Sequence, residues 1–192
     1  MGMLVLGLVL FLGVHSTRIV AEGWRTRSIA RWGEGPWKGL YSLVSALGLV
    51  LLVWGYGLAR QQPVLLWTPP RGMNHLAALL TLVAFVLLAA AYVPRNGIKA
   101  RLHHPMLLGV KVWALAHLLS NGTLADLVLF GAFLAWAVLD FRAARQRDRL
   151  AGTTYPPGQA AGTIGTLVVG VAAWAAFAFW LHAWLIGVRP LG

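Results

Sequence analysis

Apolar residues fall in six runs separated by short, polar or glycine- and proline-rich breaks. They cover roughly Met3–Val20, Gly39–Leu58, Asn74–Tyr92, Pro105–Leu119, Leu124–Phe141 and Ile164–Val188. Strands rarely exceed about 10 residues, whereas a helix needs about 20 apolar residues to cross a bilayer. The pattern predicts an all-α fold: a polytopic membrane helix bundle of about six transmembrane helices. The first run carries His15 and Arg18, and the fourth is short and carries Lys111. The fourth still counts as a separate helix, because Asn121-Gly122 breaks what would be one overlong segment. The apolar start, Met3–Val14, lacks the basic leader and the small-residue cleavage site of a signal peptide, and is read as a retained helix. Gly152–Gly162 is rich in Gly, Pro and Thr and reads as an exposed loop. No repeat or separate soluble domain emerges, so residues 1–192 read as a single transmembrane domain.

Charge orients this bundle. The first loop holds Arg18, Arg25, Arg27, Arg31 and Lys38, the third Arg95, Lys99 and Arg101, and the fifth Arg142, Arg145, Arg147 and Arg149. The other side has Arg60, Arg71 and Arg189. By the positive-inside rule, both termini are expected on the outer, periplasmic side and the basic loops in the cytoplasm. Trp24, Trp32 and Trp37 then fall near one interface and Trp54, Trp67, Trp180 and Trp184 near the other, as in an aromatic belt.

Composition agrees with that reading. Hydrophobic residues make up 59% of the chain and charged ones 11%, against about 45–50% and about 25% in soluble domains. The net charge of +11 would suggest nucleic acid as a partner in a soluble protein. Confined to membrane loops, it points to anionic lipid headgroups and not to nucleic acid. The absence of Cys excludes disulfides, thiolate metal sites, iron–sulfur clusters and covalent haem attachment.

Candidate chemistry lies where ionisable groups enter the apolar zone. At about 1.5 Å per residue, His15 and His117 each lie about 18 Å along their segments, near the middle of a core about 30 Å thick. On depth alone they differ by about 6 Å. Two neutral imidazoles on different helices suit a bis-His b-type haem. They equally suit histidines hydrogen-bonded across helices. Arg18, three residues after His15, would meet a haem propionate or snorkel to a phosphate. Lys111 would snorkel, or pair with Asp126 inside the bundle. His104 is about 140° around the helix from His117, so the two cannot share one small site. His75 and His182 suit either an outer-leaflet metal or quinone site or simple interfacial placement. No nucleophile elbow, phosphate loop, HExxH motif or paired carboxylate appears.

His15-Ser16-Thr17-Arg18, Trp37-Lys38-Gly39-Leu40-Tyr41-Ser42-Leu43, His104-Pro105-Met106-Leu107-Leu108-Gly109 and Trp113-Ala114-Leu115-Ala116-His117 together resemble the NnrU family of bacterial membrane proteins. The resemblance runs from the first segment to Arg149. It implies the bacterial inner membrane and a link to denitrification or nitric-oxide metabolism. The family is similar to plant zeta-carotene isomerase, a haem b enzyme that isomerises a cis double bond of a polyene. There the motifs matching His15 and His117 are thought to bind haem. The resemblance therefore implies haem b, a lipid-phase polyene substrate and haem-dependent isomerisation. The plant enzyme has a Cys where this chain has Ala114. The His-Pro-x-x-x-Gly stretch, with His104 as its first residue, also resembles the cofactor motif of isoprenylcysteine carboxyl methyltransferases. His103 replaces the Arg found there, and no Glu follows Glu34. A non-catalytic subunit or assembly factor of a membrane complex is the third reading, suited to the short loops.

Overall fold

The computed structural model describes residues 1–191. About 80% of the chain is helical, and no strand occurs among the described residues. The helices are α1 (Gly2–His15), α2 (Thr17–Val20), α3 (Glu22–Trp32), α4 (Glu34–Ala59), α5 (Met73–Tyr92), α6 (Gly97–Leu102), α7 (Pro105–Ser120), α8 (Leu124–Ala151), α9 (Ala160–Ala176) and α10 (His182–Ile186). A π-helical turn, Phe177–Leu181, joins the last two. All six expected segments are helices. Four are long and apolar enough to cross a membrane: α4, α5, α8 and the continuous stretch Ala160–Ile186. The other two, α1 with 14 residues and α7 with 16, extend only about 21 and 24 Å.

The boundaries differ from expectation in instructive places. The first segment bends at Ser16 before the one-turn α2. There Ser16 Oγ donates to Leu12 O at 2.7 Å and Thr17 Oγ1 to Val14 O at 2.8 Å, and hydroxyls that bond back in this way bend helices. The basic first loop is largely helical, as α3. The expected fifth loop is the charged end of α8, because Arg, Ala, Gln and Leu are good helix formers. The final helix stops at Gly187, whose φ of 76° lies in the left-handed region.

Chain contacts divide the protein into two compact units. The first comprises Met1–Trp67 and Gly122–Ala143. In it α1 and α4 run antiparallel at backbone contact. A Cβ on Gly7 would lie 2.3 Å from Leu52 N, one on Gly48 2.6 Å from Phe11 N, and one on Gly55 2.3 Å from Leu4 N. In lipid the hydrophobic effect cannot press helices together, so close van der Waals contact between small residues must. At the far end of this pair, Tyr56 OH donates to Asp126 Oδ1 at 2.5 Å. Asp126 Oδ2 accepts from Thr123 N and Oγ1, and Thr123 Oγ1 accepts from Asp126 N, which closes a capping box at the start of α8. Leu66 N and Trp67 N both donate to Gly122 O. A Cβ on Gly122 would overlap Trp67 O.

The second unit comprises Thr68–Asn121 and Ala144–Gly192. Here α5 is the centre, packed on α7 and α9. Gly109 meets Ala84 O, and Gly170 meets the Val86 backbone. Buried Asn96 caps α6: its Oδ1 accepts from Lys99 N, and its Nδ2 donates to Ala90 O and Val93 O.

Large apolar side chains are exposed along both units, among them Leu43, Val50, Val53, Val168 and Trp180, each 60% or more exposed. Soluble monomers rarely expose apolar patches beyond a few hundred Å². This surface requires lipid as its solvent. Gly55→Leu should push α1 off α4 and destabilise the protein by about 3 kcal/mol or more. Thermal unfolding in detergent micelles checks this. A melting temperature equal to wild type would show that the glycine contact is not needed.

Candidate functional site

His15 closes α1 in the first unit. Its Nδ1 donates to Phe11 O at 2.6 Å, one helical turn back. Its ring lies 4.3 Å from the Phe11 ring, 5.3 Å from Tyr41 on α4, and 6.1 Å from Trp136 on α8, to which it is perpendicular. A histidine whose Nδ1 proton is committed to a carbonyl carries its lone pair on Nε2. Three polar atoms of this unit, Trp136 Nε1, Ser45 Oγ and Glu22 Oε2, are buried and have no hydrogen-bond partner among the described residues. Arg18 lies three residues on. Its guanidinium is 3.6 Å from Glu22, which also holds Arg25 at 3.1 Å. The structure therefore sets a carboxylate beside Arg18, where the sequence pattern suggests a propionate or a phosphate.

His117 lies in the last turn of α7, in the second unit. Its Nδ1 donates to Trp113 O at 2.8 Å, and the Trp113 ring is 5.1 Å away. The local device is the same as at His15: an aromatic residue four positions earlier offers the carbonyl that fixes the imidazole tautomer. The repeated spacing, Phe11 to His15 and Trp113 to His117, is the sequence signal of this device. Both histidines sit at the ends of short helices rather than midway along long ones.

His104 belongs to a third arrangement, in the second unit. The peptide before α7 makes a γ-turn at His103, where φ is 67° and His104 N donates to Leu102 O at 2.8 Å. Such a turn with positive φ is rare and strained. It sends the two imidazoles to different partners. His104 Nε2 meets Asp148 Oδ2 at 2.8 Å, and Tyr155 OH donates to the same oxygen at 2.9 Å. The His103 ring stacks on Tyr155 at 4.2 Å, 3° from parallel, and its Nδ1 accepts from Arg145. Neither Asp148 nor Tyr155 stands out in the sequence. One reads as a loop charge, and the other lies in a segment without periodicity.

Of the remaining candidates, His75 is exposed at the start of α5, and His182 Nδ1 donates to Val188 O at 2.7 Å. Asp126 is occupied by Tyr56 and Thr123. Among the described residues, no cluster of three or more His, Asp or Glu stands ready to hold a metal. A family model described as NnrU protein matches residues 3–190. The chain belongs to the NnrU family. No curated protein and no solved structure matches it. For this NnrU protein, then, the combined motifs around His15, His104 and His117 identify the family correctly. The match assigns no role to any of the three.

The Asp148 network lies beyond the apolar part of α8 and titrates. Burial pushes the Tyr155 hydroxyl up to about 12, aided by its hydrogen bond to Asp148 and by that carboxylate's charge. For Asp148, burial acts upward but is outweighed. The hydrogen bonds from Tyr155 and His104 hold its carboxyl below the ordinary value. A depressed carboxyl stabilises the fold above its unfolded value of about 3.9 and loses that contribution as pH falls through the folded value. A raised phenol stabilises below about 10 and loses its contribution as pH rises through the folded value. Asp148→Asn should therefore lower the melting temperature at neutral pH, with the difference from wild type shrinking as pH falls below about 4. Tyr155→Phe should cost about 0.5–1.5 kcal/mol at neutral pH. Thermal unfolding across a pH series reads both. A deficit of the Asp148→Asn variant that persists unchanged in acid would count against the carboxylate.

Proposed function

We propose that this NnrU protein is a haem b-binding integral membrane protein, with His15 as an iron-ligating imidazole; the family resemblance implies His117 as a second. One observation carries the reading. His15 commits Nδ1 to the carbonyl of Phe11, four residues earlier, which leaves its Nε2 lone pair as the donor a metal needs. The surroundings support it: Phe11, Tyr41 and Trp136 make an aromatic wall about His15, and flat rings suit a macrocycle. Trp136 Nε1 is a buried donor without an acceptor, and a group bearing carboxylate or other acceptor oxygens would satisfy it. The donor set also fits, since a chain without Cys has imidazole as its strongest neutral ligand for iron.

Haem bound there would supply Lewis-acid or one-electron chemistry to a molecule dissolved in the lipid. The chain's own part is to fix two imidazole tautomers and to surround His15 with aromatic rings. A polyene as substrate, or a role in nitric-oxide metabolism, rests on the family resemblance. The charge pattern supports an inner-membrane orientation with both termini outside. A methyltransferase reading is weakened at His104, whose Nε2 is engaged by Asp148. A subunit or assembly role has no specific observation in its favour.

Purified protein should show a Soret band and a b-type pyridine haemochrome. His15→Ala and His117→Ala should each lose most of the bound haem while remaining folded, and His75→Ala should retain it. A wild-type sample without a Soret band, prepared with haem supplied, would sink the proposal.

A further inference from the structure

The first unit carries a surface feature that the haem reading does not use. Because α1 and α4 are antiparallel, the end of α1 and the start of α4 lie at the same end of the pair. The helix between them, α3, therefore sits at that end, where the apolar stretches stop. It is held there by tryptophans. Trp37, one turn into α4 and buried, lies 5.3 Å from the Trp24 ring and 6.5 Å from the Trp32 ring. Ser28, between them on α3, is buried too. Gly33, with φ of 86°, turns the chain from α3 into α4.

The charges on this end sort into two groups. Glu22 takes Arg18 and Arg25, and Glu34 takes Lys38 at 2.7 Å. That uses both acidic residues of the segment. Arg27 and Arg31 remain. Both are exposed, and neither has an ion pair or hydrogen bond among the described residues. They are four residues apart, so they stand on one stripe about 6 Å from each other. At 3.6 residues per turn both fall within about 60° of Trp24, which is 48% exposed. Just before α3, Val20 is 81% exposed.

We propose that Arg27 and Arg31 of α3 form a binding site for the headgroup of an anionic glycerophospholipid. Two guanidiniums at this spacing grip phosphate oxygens with charge-assisted hydrogen bonds. Trp24 and Val20 enter the boundary between headgroups and acyl chains, as the apolar face of an interfacial helix does. The preference for a net negative headgroup follows from the two unneutralised charges, because basic residues beside a membrane are drawn to its anionic surface. This site is independent of haem and of the histidines.

The test uses the full chain in dodecyl maltoside micelles. Its thermal unfolding is followed with added dioleoylphosphatidylglycerol, dioleoylphosphatidylcholine, inorganic phosphate or soluble polyglutamate. The wild-type melting temperature should rise with phosphatidylglycerol and with none of the others. The double variant Arg27→Gln with Arg31→Gln should keep its lipid-free melting temperature and lose at least half of the rise. Arg101→Gln with Arg149→Gln, which removes the same charge from other exposed sites, should keep the rise. Arg27→Lys with Arg31→Lys should retain much of it. Native mass spectrometry should count fewer retained phosphatidylglycerol molecules on the Arg27→Gln, Arg31→Gln variant than on the other two. The proposal is overturned by a wild-type protein that phosphatidylglycerol does not stabilise. It is equally overturned by equal losses in the two glutamine variants. A rise produced by inorganic phosphate would assign the stripe to a free anion, and one produced by polyglutamate to an acidic protein. Either would overturn the lipid assignment.

Discussion

A polar group in hydrocarbon has no water to turn to, so it must find its partner inside the chain. Most of the side-chain geometry here follows from that. Ser16, Ser120, Thr163 and Thr166 donate to the carbonyl four residues earlier. His15 and His117 do the same with Nδ1. Asn96 spends both ends of its amide on backbone groups. Asp126, a buried carboxylate, is met by a phenol, a hydroxyl and a backbone amide. For a hydroxyl this solution is complete. For His15 it is half complete, because fixing one nitrogen leaves the other to be accounted for. That asymmetry is why His15, rather than the many hydroxyls, carries a functional reading.

The same solvent explains why glycine shapes the packing. Between Leu52 and Gly7, Phe11 and Gly48, and Leu4 and Gly55, backbone meets backbone. Only the absence of a side chain permits it, and the gain is dispersion rather than water release. Many of the larger apolar side chains turn outward, which reverses the arrangement of a soluble core.

How far the fold is legible in the residues follows from these forces. The long apolar runs are legible because they must be long, and the Asn121-Gly122 break before α8 is legible because it ends a helix. Helix α3 is not, since Glu22–Trp32 has few apolar positions. What holds it is contact with Trp37, which lies beyond the end of α3. The extension of α8 past Phe141 is hidden for a related reason: helix propensity outlasts the apolar pattern that signals a span. The site divides in the same way. His15, His104 and His117 stand out as polar residues beside apolar ones. Asp148 and Tyr155 do not, because a γ-turn at a non-glycine residue and a contact across several dozen residues bring them to His104. Arg18 stands out too, but its partner Glu22 reads as an ordinary loop charge until α3 is known to be a helix.

The shortness of α1 and α7 bears on the histidines themselves. Each helix ends within three residues of its histidine. A helix terminates with unsatisfied carbonyls and the negative end of its dipole, an environment that favours positive charge within the last turn. An imidazole placed there lies in a field that favours positive charge, whereas the same residue in mid-helix would feel little of it. Short helices are a cost in a bilayer, since they leave hydrocarbon thickness to be matched by thinning or by flanking segments. The chain accepts that cost at the two helices whose last turns hold a tautomer-fixed imidazole, and at neither α4 nor α5. Helix length and histidine placement are then one feature: ending the helix early is what brings the dipole to the histidine.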